Sequence, residues 1–185
     1  MLLAALTVAL ALLTTSTAPA FDVGPAVGKP VPAIQAHTTD GAATSVRALS
    51  GKNGLVLVFF RSAKWCPYCQ KQLIELRKAQ GPLEQRGYRM AAISYDAPEI
   101  LIRFAAQRGI AYPLLSDAGS KTIDAYSLRD VRYKPDSFAW GVPYASIFVL
   151  TPGGVVKSKL AEEDYKTRPT NDAVIAAVDA LARKR

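Results

Sequence analysis

The chain has 185 residues and carries 23 lysines and arginines against 15 aspartates and glutamates, a formal net charge of +8. The basic residues are scattered, and their only dense cluster is Arg183-Lys184-Arg185, so the charge does not indicate a nucleic-acid-binding surface. Two cysteines and one histidine are too few for an ordinary tetrahedral zinc site, so we expect no bound metal.

The N-terminal segment has the pattern of an export signal. Leu2–Leu13 is almost wholly apolar, Thr14–Thr17 is small and polar, and Ala18-Pro19-Ala20 forms a small-x-small cleavage site. The apolar run is shorter than the roughly 20 residues of an ordinary membrane span. We therefore expect residues 1–20 to be a signal peptide and the mature protein, residues 21–185, to be periplasmic or secreted. Because no lysine or arginine precedes the apolar run, an uncleaved membrane anchor is the alternative.

The first part of the mature chain predicts loops, a strand pair and a buried strand. Residues 22–33 are rich in proline and glycine and are expected to be irregular. Ala33–Thr38 and Thr44–Leu49 flank the turn signal Thr39-Asp40-Gly41 and predict a short hairpin or strand pair. Leu55–Phe60 is a continuous apolar run, which is typical of a central strand buried on both faces.

The rest of the chain predicts helices that alternate with strands. A helix is expected to begin near Cys66 and to kink or end at Gly81-Pro82. The later elements are expected to be a strand over Tyr88–Tyr95, a helix over Ala97–Arg108, a short strand over Pro113–Leu115, a short helix over Ala118–Tyr126, an irregular segment over Ser127–Trp140, a hairpin of Ser146–Leu150 with Val155–Leu160, and a final helix capped by Thr170-Asn171. This order predicts a single α/β domain over residues 21–185, with a central mixed β-sheet flanked by helices.

The two cysteines lie three residues apart, in the segment Trp65-Cys66-Pro67-Tyr68-Cys69, directly after the predicted buried strand. The first turn of a helix has unpartnered backbone N–H groups and the positive end of the helix dipole, and both favour a thiolate. A structural bridge is a weaker interpretation, because so short a loop constrains the unfolded chain little. The spacing therefore predicts a redox-active dithiol, with an inert bridge or part of a metal site as alternatives.

The Trp65–Cys69 segment, at a strand-to-helix junction, resembles the redox site of thioredoxin-fold proteins. Further segments are similar, in order and spacing, to the peroxiredoxin-like branch known as the alkyl hydroperoxide reductase/thiol-specific antioxidant family: Val27–Pro32 with Thr39-Asp40-Gly41, Phe59-Phe60-Arg61, Tyr112–Asp117 and Ile147–Gly154. The resemblance covers about residues 27–160. It implies a thioredoxin-like fold and an antioxidant oxidoreductase without a cofactor, consistent with the absence of a nucleotide-binding glycine motif in the sequence.

The resemblance also implies site residues. Cys66 and Cys69 are expected to be the catalytic pair, and an apolar rim beside them is expected to dock a partner's disulfide. The candidates for substrate binding are Trp65, Pro67, Tyr68, Arg61 and Pro143. A cationic Arg61 would lower a thiol pKa by charge.

Which of the two cysteines attacks first depends on whether the chain follows the thioredoxin pattern or the peroxiredoxin pattern. Helix geometry favours Cys66 as the nucleophile and Cys69 as the resolving thiol. The peroxiredoxin pattern reverses these roles, but it places a threonine or serine where Cys66 stands and a thiolate-stabilising arginine where Ala145 stands. Without that arginine Cys69 is expected to lack a cationic neighbour, which favours Cys66.

The leading hypothesis is an exported thiol–disulfide oxidoreductase that exchanges disulfides with a partner protein or reduces peroxides. It would draw electrons from a dithiol partner or a thioredoxin-type reductant, act as a monomer or weak dimer, and bind no nucleic acid. A redox-linked copper or haem assembly protein is one alternative. A catalytically inert thioredoxin-fold binding module is the other.

Overall fold

The computed structural model describes residues 21–183, so the predicted signal peptide lies outside the described residues. Six strands are present: β1 (His37–Thr38), β2 (Gly54–Phe59), β3 (Tyr88–Ser94), β4 (Leu114–Ser116), β5 (Ser146–Leu150) and β6 (Val156–Ala161). Five helices accompany them within the described chain: α1 (Val46–Leu49), α2 (Pro67–Gln85), α3 (Pro98–Arg108), α4 (Lys121–Ala125) and α5 (Asn171–Ala182).

The strands form one mixed sheet in the order β1-β4-β3-β2-β5-β6. The central strands β2, β3 and β4 run parallel, and β5, β6 and β1 are added antiparallel to their neighbours. Because β2 and β3 are parallel, their carboxyl ends meet at the same edge of the sheet. The chain segments that follow these two strands therefore lie side by side.

The sheet divides the hydrophobic core into two layers. All six residues of β2 are buried, and they alternate between the faces: Val56 and Val58 face one layer, and Leu55, Leu57 and Phe59 the other. The first layer includes apolar residues of α2, α3 and α5, while α1 and α4 contribute to the second. The continuous apolar run was thus interpreted correctly, because a strand covered by helices on both sides has no polar face.

Helices α2 and α5 pack together on one face of the sheet. Val174 and Val178 of α5 lie in the same buried cluster as Leu73 and Leu76 of α2. Asn171 at the start of α5 donates from Nδ2 to the carbonyl oxygen of Glu75 at 2.8 Å. This contact holds the segment before α5 next to the first turns of α2.

Two local predictions were wrong. Val46–Leu49 forms a helical turn rather than a strand, because the Ser45 hydroxyl accepts from the Ala48 N–H and caps it. Helix α2 continues through Pro82 to Gln85 instead of ending at Gly81-Pro82, and Leu83 is fully buried beyond the proline. Packing of that last turn into the core outweighs the backbone hydrogen bond that a proline forfeits.

The other predicted elements and the predicted fold class are confirmed, with boundaries shifted by no more than three residues except at β1. Ala33–Thr38 forms a strand only over its last two residues. Across residues 21–183, we find no helix that combines the length and the apolar character needed to cross a membrane.

Candidate functional site

The cysteine pair lies where β2 passes into α2. Cys66 is the N-cap of α2, and Pro67 occupies the first turn, where its missing N–H costs no hydrogen bond. Cys66 and Cys69 are joined by a disulfide with a Cα–Cα distance of 5.3 Å. The Cys69 N–H donates to Cys66 Sγ at 3.3 Å, so a sulfur takes the place of the usual capping oxygen. The two cysteines are only 1% and 0% exposed.

A buried carboxylate holds the loop between β2 and α2. Asp96, just after β3, accepts hydrogen bonds from the Ser62 hydroxyl at 2.7 Å and the Ala63 N–H at 2.6 Å. The Ser94 hydroxyl donates to the same side chain at 2.9 Å. Burial raises the pKa of the Asp96 carboxyl, and these three donors oppose that rise only in part. Asp96 therefore fixes the path of the chain into Cys66, and it can do so because parallel strands bring the two loops together.

Arg61 is the first cation of the site, and it is 2% exposed. Its guanidinium carbon lies 5.1 Å from the ring centre of Trp65, 4.9 Å from that of Tyr133 and 4.5 Å from that of Tyr165. Its Nη2 donates to the Tyr133 hydroxyl, and its Nε has no partner among residues 21–183. Aromatic faces rather than a carboxylate hold this charge in place.

Arg168 is the second cation, and its Nη2 lies 3.7 Å from Cys69 Sγ. It comes from the loop between β6 and α5, where its Nη1 donates to the carbonyl oxygen of Thr167 at 2.8 Å. Burial and the nearby charge of Arg61 lower the pKa of Arg168 to about 10, so the side chain remains cationic at neutral pH. The expectation that Cys69 lacks a cationic neighbour is therefore wrong. The cation is supplied by a loop far from Ala145 in the sequence.

Aromatic side chains flank the disulfide on two sides. Trp65 donates from Nε1 to the Tyr95 hydroxyl at 2.9 Å and packs edge-on against the Phe138 ring at a centroid distance of 5.2 Å. Tyr68, between the two cysteines, packs edge-on against Tyr165 at 5.8 Å. Tyr68 and Phe138 are exposed. We call these two ring pairs, Trp65 with Phe138 and Tyr68 with Tyr165, the aromatic rim of the site.

The structure brings together most of the sequence-predicted site residues. Arg61 contacts the rings of Trp65 and Tyr165, and Tyr165 in turn contacts Tyr68. Pro67 is exposed on the first turn of α2. Pro143 lies buried in the loop before β5, where it pairs with Arg129 in an isolated bridge. The roles assigned to all these residues remain predictions.

Sequence reasoning missed Arg168 and Tyr165. Both lie in residues 162–170, a polar segment that carries no motif. The available signal was indirect: the final amphipathic helix must pack on the sheet beside α2, which places the loop before it near the first turn of α2.

The described chain also holds no cluster of three or more His, Cys, Asp or Glu side chains arranged to bind a metal ion.

Residues 27–159 match the family model described as the AhpC/TSA family. The chain belongs to the AhpC/TSA family. This confirms the family and the thioredoxin-like fold predicted from the cysteine motif and its flanking segments. Curated relatives of this chain are named as peroxiredoxins and as thiol–disulfide oxidoreductases, and the chain is a redox enzyme.

Two curated relatives represent these two types. Thiol-disulfide oxidoreductase ResA of Halalkalibacterium halodurans is 31% identical over 91 residues, which cover 49% of this chain and 50% of that protein. The Mycobacterium tuberculosis protein MT2597, provisionally classed as a peroxiredoxin, is 29% identical over 143 residues, covering 77% of this chain and 87% of that protein. The chain thus spans half the length of the ResA relative and most of the peroxiredoxin relative.

A solved structure shares the fold. The crystal structure of peroxidoxin BcpB from Mycobacterium tuberculosis superposes with a TM-score of 0.70 at 22% identity, and the match covers 84% of this chain and 97% of that one. At this identity the similarity shows only the fold of the chain. Its substrate has to be inferred from the geometry of the site.

The Arg168 contact predicts a measurable effect on the reduced protein. In a Cys66→Ser background, where Cys69 is the only thiol, Arg168→Gln should raise the thiol pKa by about one unit or more, because it removes an adjacent, partly buried cation. Arg168→Lys keeps a charge at this position and should retain part of the depression. The pKa is measured from the ultraviolet absorbance of the thiolate as a function of pH.

The matched control places the same Arg168→Gln change in a Cys69→Ser background. The pKa of Cys66 should then move less, because the helix N-terminus rather than Arg168 stabilises that thiolate. Equal shifts for both thiols, or no shift for Cys69, would show that the contact has no specific electrostatic effect.

Proposed function

We propose that the protein is an exported thiol–disulfide oxidoreductase that cycles Cys66 and Cys69 between a disulfide and a dithiol. The observation that carries this proposal is the position of the pair: one sulfur caps α2, and the other lies 3.7 Å from the guanidinium of Arg168. Each sulfur therefore has its own source of thiolate stabilisation. An inert structural bridge has no need of either.

The geometry supports Cys66 as the sulfur that exchanges with a partner. When an incoming thiolate attacks Cys66 Sγ, the S–S bond to Cys69 breaks, and Cys69 leaves as a thiolate beside Arg168. A more stable thiolate is a better leaving group, so Arg168 favours this direction of cleavage. In the reverse step, Cys69 attacks the mixed disulfide at Cys66, releases the partner's thiolate and re-forms the internal disulfide.

Peroxide reduction at Cys69 is the second candidate function, and the Arg168 contact favours it. The Cys69 thiolate would attack the O–O bond, yielding a Cys69 sulfenic acid and an alcohol or water. Cys66 would then attack the sulfenic sulfur, releasing water and closing the disulfide. A dithiol partner or thioredoxin-type reductant would supply the two electrons that restore the dithiol.

The aromatic rim fits a docking role. Trp65 and Tyr68 border the pair from either side and combine a large apolar surface with a polar atom, a combination common at binding surfaces. We assign them, with Pro67, to the surface that contacts the partner's sulfur, and we assign Arg61, which is 2% exposed and contacts Trp65, to the support of that surface. Pro143 pairs with Arg129 in the described structure and has the weakest support of the five candidates.

Export is supported by residues 1–20 alone. Their apolar run and small-x-small site fit a cleaved signal peptide, and an oxidising compartment suits a cysteine pair that rests as a disulfide. We therefore propose a periplasmic or secreted mature protein, residues 21–185, that forms a single domain.

Single-cysteine variants distinguish the two chemistries. If Cys66 exchanges with a partner, Cys66→Ser should lose all turnover with hydroxyethyl disulfide, and Cys69→Ser should accumulate a mixed disulfide at Cys66 because no thiol remains to resolve it. Mass spectrometry of the intact protein detects the adduct, and the double Cys→Ser variant gives the background.

The opposite difference between the two single-cysteine variants supports peroxide reduction at Cys69. In that case Cys66→Ser forms a sulfenic acid at Cys69 on addition of hydrogen peroxide, at a rate well above that of a free thiol, and a dimedone probe labels it. If neither Cys66 nor Cys69 reacts with hydroxyethyl disulfide or with hydrogen peroxide, the redox function proposed here is wrong.

The export proposal has its own test. Expression of the full chain with N-terminal sequencing of the exported product should give Phe21 as the first residue, because Ala18-Pro19-Ala20 precedes it. A product that retains residues 1–20 in the membrane fraction would instead identify an uncleaved anchor.

A further inference from the structure

A pocket of about 620 Å³ lies between the first turns of α2 and the segment that leads into α5. Tyr68, which lies between the two cysteines, and Arg168, which contacts Cys69, both line it. The volume is in the range that suits a small molecule. A ligand in this pocket would therefore be separated from the redox pair only by side chains that adjoin it, Tyr68 and Arg168.

The lining of the pocket is predominantly cationic. Four basic side chains face two acidic ones: Lys71, Lys78, Lys166 and Arg168 against Glu75 and Asp172. None of the four cations takes part in an ion pair within residues 21–183. The pocket also adjoins the N-terminus of α5, whose helix dipole adds partial positive charge. The field inside it favours an anion.

Two polar atoms at the pocket are buried without a partner in the described part of the chain. Gln72, which is 6% exposed, has an unpaired acceptor at Oε1, and Arg168 has an unpaired donor at Nε. Buried polar groups are nearly always paired in folded proteins. A ligand that carries both a carboxylate and an N–H group would offer a partner to each of these atoms.

The burial of the sulfurs indicates the size of the ligand. At 1% and 0% exposure, Cys66 and Cys69 can react with any thiol or disulfide only after the surrounding side chains move. A small molecule that enters beside Tyr68 needs a smaller displacement. The charge and the dimensions of the pocket therefore point to the same class of ligand.

We propose that this pocket binds a small thiol that carries a carboxylate, and that such a thiol reduces the Cys66–Cys69 disulfide. The inference rests on the redox function proposed above and names the reductant class for the same site. The carboxylate binds among Lys71, Lys166 and Arg168, and the sulfur reaches the disulfide past Tyr68.

The reaction balances with two molecules of thiol. The first thiolate attacks Cys66 Sγ, forms a mixed disulfide and releases Cys69 as a thiolate. The second thiolate attacks the sulfur of the first, which leaves Cys66 as a thiolate and releases the small-molecule disulfide. Two electrons pass to the protein, and the two protons of the small thiols end on solvent or on the cysteines.

The test compares small thiols of different charge on the oxidised mature protein. Mercaptopropionate is anionic, mercaptoethanol is neutral and cysteamine is cationic, and each rate is divided by the rate of the same thiolate with hydroxyethyl disulfide. We expect the normalised rate of mercaptopropionate to exceed that of cysteamine by about tenfold or more, and the excess to shrink as salt is added. Dithiothreitol, which is neutral, reports independently whether the disulfide can be reduced at all.

Removing lysine charges from the pocket then tests whether the preference for an anionic thiol arises there. Lys71→Gln combined with Lys166→Gln should lower the ratio of the mercaptopropionate rate to the mercaptoethanol rate by about threefold or more, because two charges of the pocket are lost. Lys52→Gln is the matched control: this exposed lysine precedes β2, at the opposite edge of the sheet from the cysteines. Its ratio should equal that of the wild type.

Each outcome is decisive. If dithiothreitol reduces the disulfide but the three small thiols have equal normalised rates, the inference is wrong and the redox function stands. The inference is also wrong if the ratio of the mercaptopropionate rate to the mercaptoethanol rate is unchanged in the lysine double variant, or if only a reduced thioredoxin acts on the disulfide. If dithiothreitol fails as well, the proposed redox function itself is rejected.

Discussion

Two guanidinium groups lie at the site, Arg168 partly buried against Cys69 and Arg61 buried against Trp65, and neither is paired with a carboxylate among residues 21–183. Burying a cation without a counter-charge is costly, and here aromatic faces around Arg61 offset only part of that cost. Reduction of the disulfide creates the missing anion 3.7 Å from Arg168, at Cys69. The charge distribution of the site is therefore better satisfied with a thiolate present than with the disulfide.

The scaffold places these groups through ordinary packing. The parallel pairing of β2 with β3 brings Asp96 to the loop that leads into Cys66, and its hydrogen bonds fix that loop. The packing of α5 on α2 brings Arg168 to the other side of the same pair. Residues that are about 100 positions apart in the sequence thus meet because two helices share one face of the sheet.

The sequence predicted those parts of the molecule that have a local signature. The apolar run of β2 and the Cys66–Cys69 spacing, followed by a helix, each depend on neighbouring residues, and the family and fold followed from them. Thr44–Leu49 was wrongly predicted to pair as a strand because it follows the turn signal Thr39-Asp40-Gly41, whereas the cap by Ser45 starts a helical turn there. Arg168 could not be predicted, because its role depends on a tertiary contact between α2 and α5. The absence of an arginine at position 145 was a correct observation, but a cation from a different loop approaches Cys69.

The reduction potential of the Cys66–Cys69 couple tests the central claim most directly. Stabilising a thiolate stabilises the reduced form, so the account predicts a potential more oxidising than the roughly −270 mV of thioredoxin. Equilibration of the mature protein with defined dithiothreitol or glutathione redox buffers, with quantification of free thiols, gives the value. A potential below about −300 mV, which is typical of structural disulfides, would contradict the account.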